Sequence, residues 1–347
     1  MNIYFFANAV YQYSHSKSIF ELTGGTFIVN KFNRMLRFKY YLLNSVKNKA
    51  IKGFLNTPPV IIRDIRQPLD LRGVILSGSC TFVNNNKNSS YSIFIGHGAG
   101  DKKYGGSAEI LKSYDYHFIS GPKHLHKMKD MDVEIPSEKL VDIGYPKFDD
   151  YVNNKIDRNA YMNYLGIRDR SRKNILYAPT WRWGDGTLQK YGKQFCKELD
   201  GEFNLIIRPH FHDRRHILPL KFWAKSNGFN NVYFSNPAKI LKNNSMYDFA
   251  ISDLMISDTS SIIYEYLITK NPIIIADNNY QDLHRMPSDL NILDIANKYY
   301  GKNISSLVDA ELSSNSRSNY ETLLNNCFYF NDGKSSKRAS DFVTSLS

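Results

Sequence analysis

Short apolar runs rich in β-branched and aromatic residues alternate with longer stretches of helical periodicity along most of the 347 residues. That alternation demands βα units and parallel sheets, because successive parallel strands need a crossover between them. In the first half the expected strands are Ile3–Phe6, Thr26–Val29, Val60–Ile62, Val74–Leu76, Ser92–Ile95, Tyr116–Ile119 and Val141–Ile143. In the second half they are Asn174–Tyr177, Asn204–Ile207, Val232–Phe234, Leu254–Ile256 and Pro272–Ile275. Tyr151–Lys173 separates the groups: it is polar, charged and helical in period, so the inter-domain connection is expected near Arg158–Lys173. At about 150 residues per domain the length also suits two αβ domains. Asn84–Ser90 reads as a surface loop.

Forty-five Lys and Arg against 33 Asp and Glu leave a formal +12, which favours an anionic partner such as nucleic acid, anionic lipid or a phosphorylated substrate. No apolar run approaches the roughly 18 to 20 residues that span a bilayer, so membrane contact is expected to be peripheral. Cys80, Cys196 and Cys327 are odd in number and far apart, without the spacing of a zinc site or a disulfide framework, which suits a reducing cytoplasm. The opening MNIYFFANAV contains the small-x-small triplet Ala7-Asn8-Ala9. It lacks a basic stretch and a long apolar core, so a secretory signal is not expected.

The segment LMISDTSSIIYEYLITKNPIII, Leu254–Ile275, passes from an apolar strand to Asp258, Thr259, Ser260 and Ser261 and then into helical periodicity. A strand that feeds hydroxyl residues at a helix start offers backbone N–H groups and side-chain donors to an anion, and a diphosphate would fit. The same residues can equally serve as an ordinary N-cap. FNLIIRPHFH, Phe203–His212, is a strand broken by Pro209 that presents Arg208 and His210 at its carboxyl end, where open α/β sheets bind ligands. Arg208 can fork onto a phosphate, and His210 can donate to a phosphoryl oxygen or shuttle a proton. A salt-bridged arginine and a surface histidine are the plain alternative. KNILYAPTWRWGDG, Lys173–Gly186, again ends a strand abruptly and continues with Thr180, Trp181 and Arg182. Three strand ends of one parallel sheet share an edge, so these polar residues are expected to converge.

In the first half, FIGHGAGDKKYG, Phe94–Gly105, sets His97 between Gly96 and Gly98, ahead of Asp101, Lys102 and Lys103. The flanking glycines permit a tight turn and close ligand approach, which makes His97 a candidate general base. The glycines fit neither GxGxxG nor a Walker sequence. From Leu22 to Arg63 there is no acidic residue, while Lys31, Arg34, Arg37 and Lys39 interleave with Phe32, Met35, Leu36, Phe38 and Tyr40. Such a stretch can lie on an anionic membrane or pack on its own domain with a solvated basic face. No RNA-binding motif accompanies it, and no nucleic-acid partner is expected.

ILYAPTWR (Ile175–Arg182), Arg208-Pro209-His210, ISDTSSIIYEYL (Ile256–Leu267), IGYPKFD (Ile143–Asp149) and NDGKSSKRASDF (Asn331–Phe342), taken in order, resemble the CDP-glycerol glycerophosphotransferase family of teichoic acid and capsule synthesis. The resemblance implies a GT-B fold, two Rossmann-like α/β domains facing a central cleft. Residues 1–160 would form the acceptor-side domain and 161–330 the nucleotide-binding domain, with 331–347 a helix crossing back. It implies catalytic roles for His97 and His210. The substrate would be held by Gly98, Asp101, Lys102, Thr180, Trp181, Arg182, Arg208, Asp258, Thr259, Ser260 and Ser261, with Glu265 placed to reach the ribose hydroxyls. Where many members read HGTPLK, this chain reads HGAGDK, so Ala99, Gly100 and Asp101 depart from the pattern near the acceptor.

The implied reaction is attack of an acceptor hydroxyl on the β-phosphorus of CDP-glycerol or CDP-ribitol with loss of CMP. His97 would take the proton while cations neutralise the diphosphate, so neither a metal nor a cofactor is called for. The acceptor would be lipid-linked or polymeric, and the enzyme cytoplasmic at the inner face of the membrane. The alternatives are a GT-B glycosyltransferase using a nucleotide sugar and a non-catalytic module that binds lipid or polymer.

Overall fold

Two all-parallel sheets form the chain, each built as the sequence leads one to expect from βα units. The structure, a computed structural model, describes residues 1–7, 9–44, 57–96, 98–103, 109–182, 185–239, 244–315 and 317–346. The first sheet holds β1 (Ile3–Phe6), β2 (Thr26–Val29), β3 (Val60–Ile62), β4 (Gly73–Ser77), β5 (Ser90–Phe94), β6 (Tyr116–Ile119) and β7 (Leu140–Asp142) in the order β3-β2-β1-β4-β5-β6-β7. The second holds β8 (Asn174–Tyr177), β9 (Asn204–Ile207), β10 (Val232–Phe234), β11 (Leu254–Ser257), β12 (Ile273–Ala276) and β13 (Asn297–Tyr299) in the order β10-β9-β8-β11-β12-β13. Each order reverses direction beside its own first strand, the doubly wound arrangement whose crevice lies at the carboxyl ends of the strands flanking the switch.

The helices beside the first sheet are α1 (Tyr13–Thr23), α2 (Phe32–Asn44), α3 (Glu109–Lys112) and α4 (Pro122–Lys129). Between the sheets run α5 (Asp149–Val152) and α6 (Arg158–Leu165), the latter capped by the Asp157 carboxylate, which accepts from Ala160 N–H at 2.9 Å. The second sheet is flanked by α7 (Leu188–Leu199), α8 (Ile217–Ser226), α9 (Ser245–Ile251), α10 (Ile262–Tyr266), α11 (Ile304–Ser313) and α12 (Arg317–Cys327), and α13 (Ser335–Ser345) ends the chain.

Strands β8, β9, β11 and β12 are buried at every position, because helices cover both faces of a parallel sheet. Their side chains alternate with the two-residue period of a strand. Leu176, Ile206, Met255 and Ile273 enter one apolar layer, while Ile175, Leu205, Ile256 and Ile274 enter the other. The first sheet is divided in the same way, with Phe5, Val74 and Ile93 on one side and Phe6, Ile75 and Phe94 on the other.

The last helix returns to the first sheet. Ala339 and Val343 of α13 are fully buried in the layer that holds Phe5 and Val74, and burying Val343 alone is worth roughly 1.5 to 3 kcal/mol. Asp149 fixes where that helix starts: its carboxylate accepts from the backbone N–H groups of Ser335 at 3.1 Å and Ser336 at 2.7 Å, and from the Ser336 hydroxyl. Two of the quoted sequence motifs are thereby joined.

The strand expectations hold along the chain with shifts of one or two residues at some ends, and β13 is an addition. It is short, sits at the edge of its sheet and leaves Asn297 and Lys298 exposed, so it carries no apolar run. The basic stretch after Leu22 forms α2, whose Phe38 and Leu42 are buried against the first sheet.

Candidate functional site

A cleft of about 570 Å³ opens between the carboxyl edges of the two sheets. From the second sheet, β8 delivers Thr180 and Trp181, β9 delivers Arg208 and His210, and β11 delivers Ser260 and Ser261. The first sheet contributes Tyr11 and Gln12 after β1, Ser79 and Cys80 after β4, and Gly98, Gly100, Lys102 and Lys103 after β5. Strands β8, β9 and β11 are neighbours, which is why motifs distant in sequence reach one wall.

The expected site residues divide by placement. Gly98, Lys102, Thr180, Trp181, Arg208, His210, Ser260, Ser261 and Glu265 line the cleft. His97 lies outside the described residues. Its neighbours Gly96 and Gly98 have φ of +64° and +149°, values that favour glycine.

Asp101, Arg182, Asp258 and Thr259 do not line the cleft, and the side chains of Asp101, Asp258 and Thr259 are engaged by the protein itself. Asp258 is fully buried and accepts from Thr180 N–H at 2.8 Å, Thr187 N–H at 3.0 Å and the Thr187 hydroxyl at 3.0 Å. It braces the loop after β8, and burial pushes its pKa up to about 6. Asp101 is buried in an ion pair with Lys123 and accepts from the Tyr264 hydroxyl at 2.6 Å. The Thr259 hydroxyl accepts from Asn278 Nδ2 at 3.0 Å. Arg182 is exposed, and its backbone N–H donates to Asp213 at 3.1 Å.

Arg208 is anchored on the protein side. Its Nη1 donates to Asp248 at 2.7 Å and to Ser235 at 3.0 Å, and Asp248 is fully buried. One end of the planar guanidinium is thereby fixed while the side chain still faces the cleft.

His210 stacks on Trp181 with ring centroids 5.8 Å apart, and its Nδ1 accepts from His212 N–H at 3.2 Å. Burial, reinforced by His212, Lys102 and Arg208, holds its pKa down at about 3, so it is neutral at physiological pH. With Nδ1 accepting, the proton of the neutral ring sits on Nε2, from which the ring can donate a hydrogen bond.

The lining includes residues that the sequence did not mark. Lys127 of α4 is buried and donates to Gly100 O at 2.6 Å. Burial and the nearby Lys123 charge bring its pKa down to about 7. Lys147 donates to Glu265 at 2.5 Å, and the Tyr145 hydroxyl donates to the other oxygen of the same carboxylate at 2.8 Å. Glu265 thus ties the IGYPKFD segment to α10 at the cleft floor. A signal for Lys147 existed, since it sits inside a quoted motif, whereas Lys127 lies in the ordinary-looking basic helix PKHLHKMK. Among the described lining residues Lys102, Lys103, Lys127, Lys147 and Arg208 are cationic and Glu265 alone is a carboxylate, so the cleft favours an anion carrying several negative charges.

The two walls touch. A Cβ built on Gly100 would lie 2.5 Å from Ser261 Cα, so the glycine loop is pressed directly against the hydroxyl turn. Lys102 Nζ donates to the Thr180 hydroxyl at 3.0 Å, and Tyr11 packs on His210 at 6.2 Å.

Comparison with known proteins agrees with this arrangement. The chain is 29% identical over 150 residues to a teichoic acid poly(glycerol phosphate) polymerase of Staphylococcus epidermidis, a match covering 39% of this chain and 19% of that protein. It is 25% identical over 274 residues to a teichoic acid ribitol-phosphate primase of Bacillus spizizenii, covering 73% of this chain and 66% of the primase. The chain therefore spans less than two thirds of the length of these curated relatives. The solved wall teichoic acid polymerase TagF superposes with a TM-score of 0.66 at 17% identity, over 99% of this chain and 88% of that one, and shares the GT-B-type fold. The family model described as CDP-Glycerol:Poly(glycerophosphate) glycerophosphotransferase matches residues 96–345, and the chain belongs to that family.

Proposed function

We propose that the cleft transfers a polyol phosphate, glycerol phosphate first among the candidates, from a CDP-polyol to an acceptor hydroxyl in the synthesis of teichoic acid or a capsular polymer. The observation that carries this reading is the convergence of Arg208, His210, Ser260 and Ser261 on one wall, opposite the glycine loop that contains His97. Family membership and the relatives' printed activities support it.

In the proposed step the acceptor oxygen attacks the β-phosphorus while the bond from that phosphorus to the bridging oxygen breaks. CMP departs with the electron pair, and a phosphodiester forms. His97 takes the acceptor proton. Arg208, the His210 Nε2–H and the two serine hydroxyls hold the diphosphate and stabilise charge as it moves onto CMP, with Lys102 and Lys127 adding positive potential from the opposite wall. The domain carrying the second sheet, residues 161–330, holds the nucleotide. The acceptor, lipid-linked or polymeric, approaches over residues 1–160, and residues 331–347 fasten the two together.

The same proposal places the protein in the cytoplasm at the inner face of the membrane, through the basic helix α2. Transfer from CDP-glycerol by His97→Ala and Arg208→Ala tests the catalytic assignment. Each substitution is expected to lower the rate about 10²- to 10³-fold, and unimpaired transfer by both would refute it.

A further inference from the structure

Charge is spread unevenly over the cleft lining. Strands β1 and β4 are neighbours, and the chain beyond their carboxyl ends delivers Tyr11, Gln12, Ser14, His15, Ser79 and Cys80. None of these is Lys, Arg, Asp or Glu. The cations of the lining are tied down elsewhere. Lys102 donates to the Thr180 hydroxyl at 3.0 Å, Lys127 to Gly100 O at 2.6 Å and Lys147 to Glu265 at 2.5 Å. Arg208 is held by Asp248 at 2.7 Å, and Lys103 lies 3.4 Å from Asp282.

The neutral section combines an aromatic ring with fixed hydrogen-bonding groups. Tyr11 is half-buried, with its ring centroid 6.2 Å from that of His210 and 5.9 Å from that of His212. Gln12 is buried: its Oε1 accepts from Ala9 N–H at 3.0 Å, and its Nε2 donates to Ser79 Oγ at 2.6 Å. That arrangement pins the amide and uses the Ser79 oxygen as an acceptor, which leaves the Ser79 O–H to donate to a ligand. The Ser14 hydroxyl donates to Tyr11 O at 2.8 Å, which leaves its oxygen to accept.

We propose that the acceptor hydroxyl belongs to a neutral sugar ring, which packs a C–H face on Tyr11 and is read through its other hydroxyls by Ser79 and Ser14. This rests on the transfer reading given above and names the acceptor class within it. The competing acceptor, the end of a polyol phosphate chain, carries a phosphodiester a few bonds from its attacking hydroxyl. Setting that charge against the neutral section would strip it of water with no cation to replace the lost hydration. A sugar brings no charge; its apolar face suits an aromatic side chain, and its rim suits neutral donors and acceptors. Because Tyr11 packs against His210, a ring seated there presents its edge to the wall that holds the diphosphate.

Rates of CMP release and phosphodiester formation, measured with CDP-glycerol or CDP-ribitol, test the proposal. The acceptors are methyl glycosides of hexoses and N-acetylhexosamines on one side, and short glycerol phosphate and ribitol phosphate oligomers on the other. Wild type is expected to use at least one glycoside with a kcat/KM roughly tenfold or more above that of any oligomer. Tyr11→Ala and Ser79→Ala are each expected to raise the KM for that glycoside roughly tenfold, with the KM for the CDP-polyol unchanged. Tyr11→Phe keeps the ring and is expected to stay near wild type, which separates stacking from loss of fold.

Oligomers used as well as, or better than, every glycoside would overturn the proposal, as would an acceptor KM that Tyr11→Ala leaves untouched. A rise in the KM for the CDP-polyol instead would assign the Tyr11 ring to the cytosine base and overturn it too. Transfer to oligomers alone leaves the transfer reading intact. No CMP from either CDP-polyol with any acceptor refutes that reading, and the sugar proposal falls with it.

Discussion

The Tyr264 hydroxyl donates to the Asp101 carboxylate at 2.6 Å across the boundary between the two sheets. Asp101 follows the glycine loop of the first sheet by one residue, and Tyr264 follows the Ser261 of the hydroxyl turn by three. The two walls of the cleft are thereby held in register by a buried carboxylate that also pairs with Lys123, whose ammonium lies 3.6 Å from the Tyr264 ring centroid. Asp101 is one of the residues that departs from the family pattern, and the structure gives it this bracing position instead of a ligand-facing one.

Asp101→Asn leaves Lys123 buried without its counter-charge and is expected to cost about 3 to 5 kcal/mol of stability, whereas Asp101→Leu with Lys123→Met removes both charges and is expected to cost far less. Urea unfolding of the two variants checks the difference. If the double variant retains wild-type stability, its transfer rate then shows what the register contributes, and a shift of about 1 Å in that register is expected to slow transfer on the order of 10²-fold.

Gly100→Ala introduces a Cβ that meets Ser261 backbone, with Cα at 2.5 Å and N at 3.0 Å. Backbone cannot rotate aside as a flexible side chain can, so the loop and the hydroxyl turn must separate. Thermal unfolding is expected to show a loss of about 1 to 3 kcal/mol. A variant as stable as wild type would show that the walls are not in contact in solution.

His210 has its pKa held down at about 3, first by burial and then by His212, Lys102 and Arg208. Its charge therefore does not change between about pH 5 and pH 9. The transfer rate of His210→Ala is expected to fall about 10²- to 10³-fold while the shape of the pH–rate profile over that range stays as in wild type. Loss of an inflection near neutrality on substitution would show that His210 titrates during the reaction.

Lys127, with a pKa brought down to about 7, couples ligand binding to protons. A diphosphate in the cleft favours the charged amine and raises that pKa, so binding at about pH 7.5 takes up at most about three quarters of a proton, while at about pH 5.5 the amine is already charged and uptake disappears. Calorimetry of CDP-glycerol binding in buffers of different ionisation enthalpy measures this. Lys127→Met is expected to abolish the uptake, and an unchanged value would assign it to another group.

The fold was legible because interior strands such as β9, β11 and β12 are apolar runs that give way to Arg208, Asp258 and Asp277 at their carboxyl ends. Strand β13 escaped because its NKY sequence buries Tyr299 alone. The cleft wall formed by Thr180, Arg208, His210, Ser260 and Ser261 was legible for the same reason.

The resemblance places Asp258 and Asp101 among the substrate-binding residues, whereas both carboxylates accept from donors of the protein itself. Their partners, Thr180 and Tyr264, stand 78 and 163 residues away, so the competition for those carboxylates exists only in three dimensions. Lys127 was missed for the opposite reason: lysines on a short basic helix look solvated, and its burial arises from the packing of the glycine loop over α4.

The most direct test of the central claim is nucleotide release. The protein is incubated separately with CDP-glycerol, CDP-ribitol and UDP-sugars in the presence of an acceptor, and free CMP and UDP are quantified. The account predicts CMP from a CDP-polyol, in step with phosphodiester formation and reduced about 10²- to 10³-fold in Arg208→Ala. UDP from a nucleotide sugar, or CMP release that Arg208→Ala leaves untouched, would contradict it.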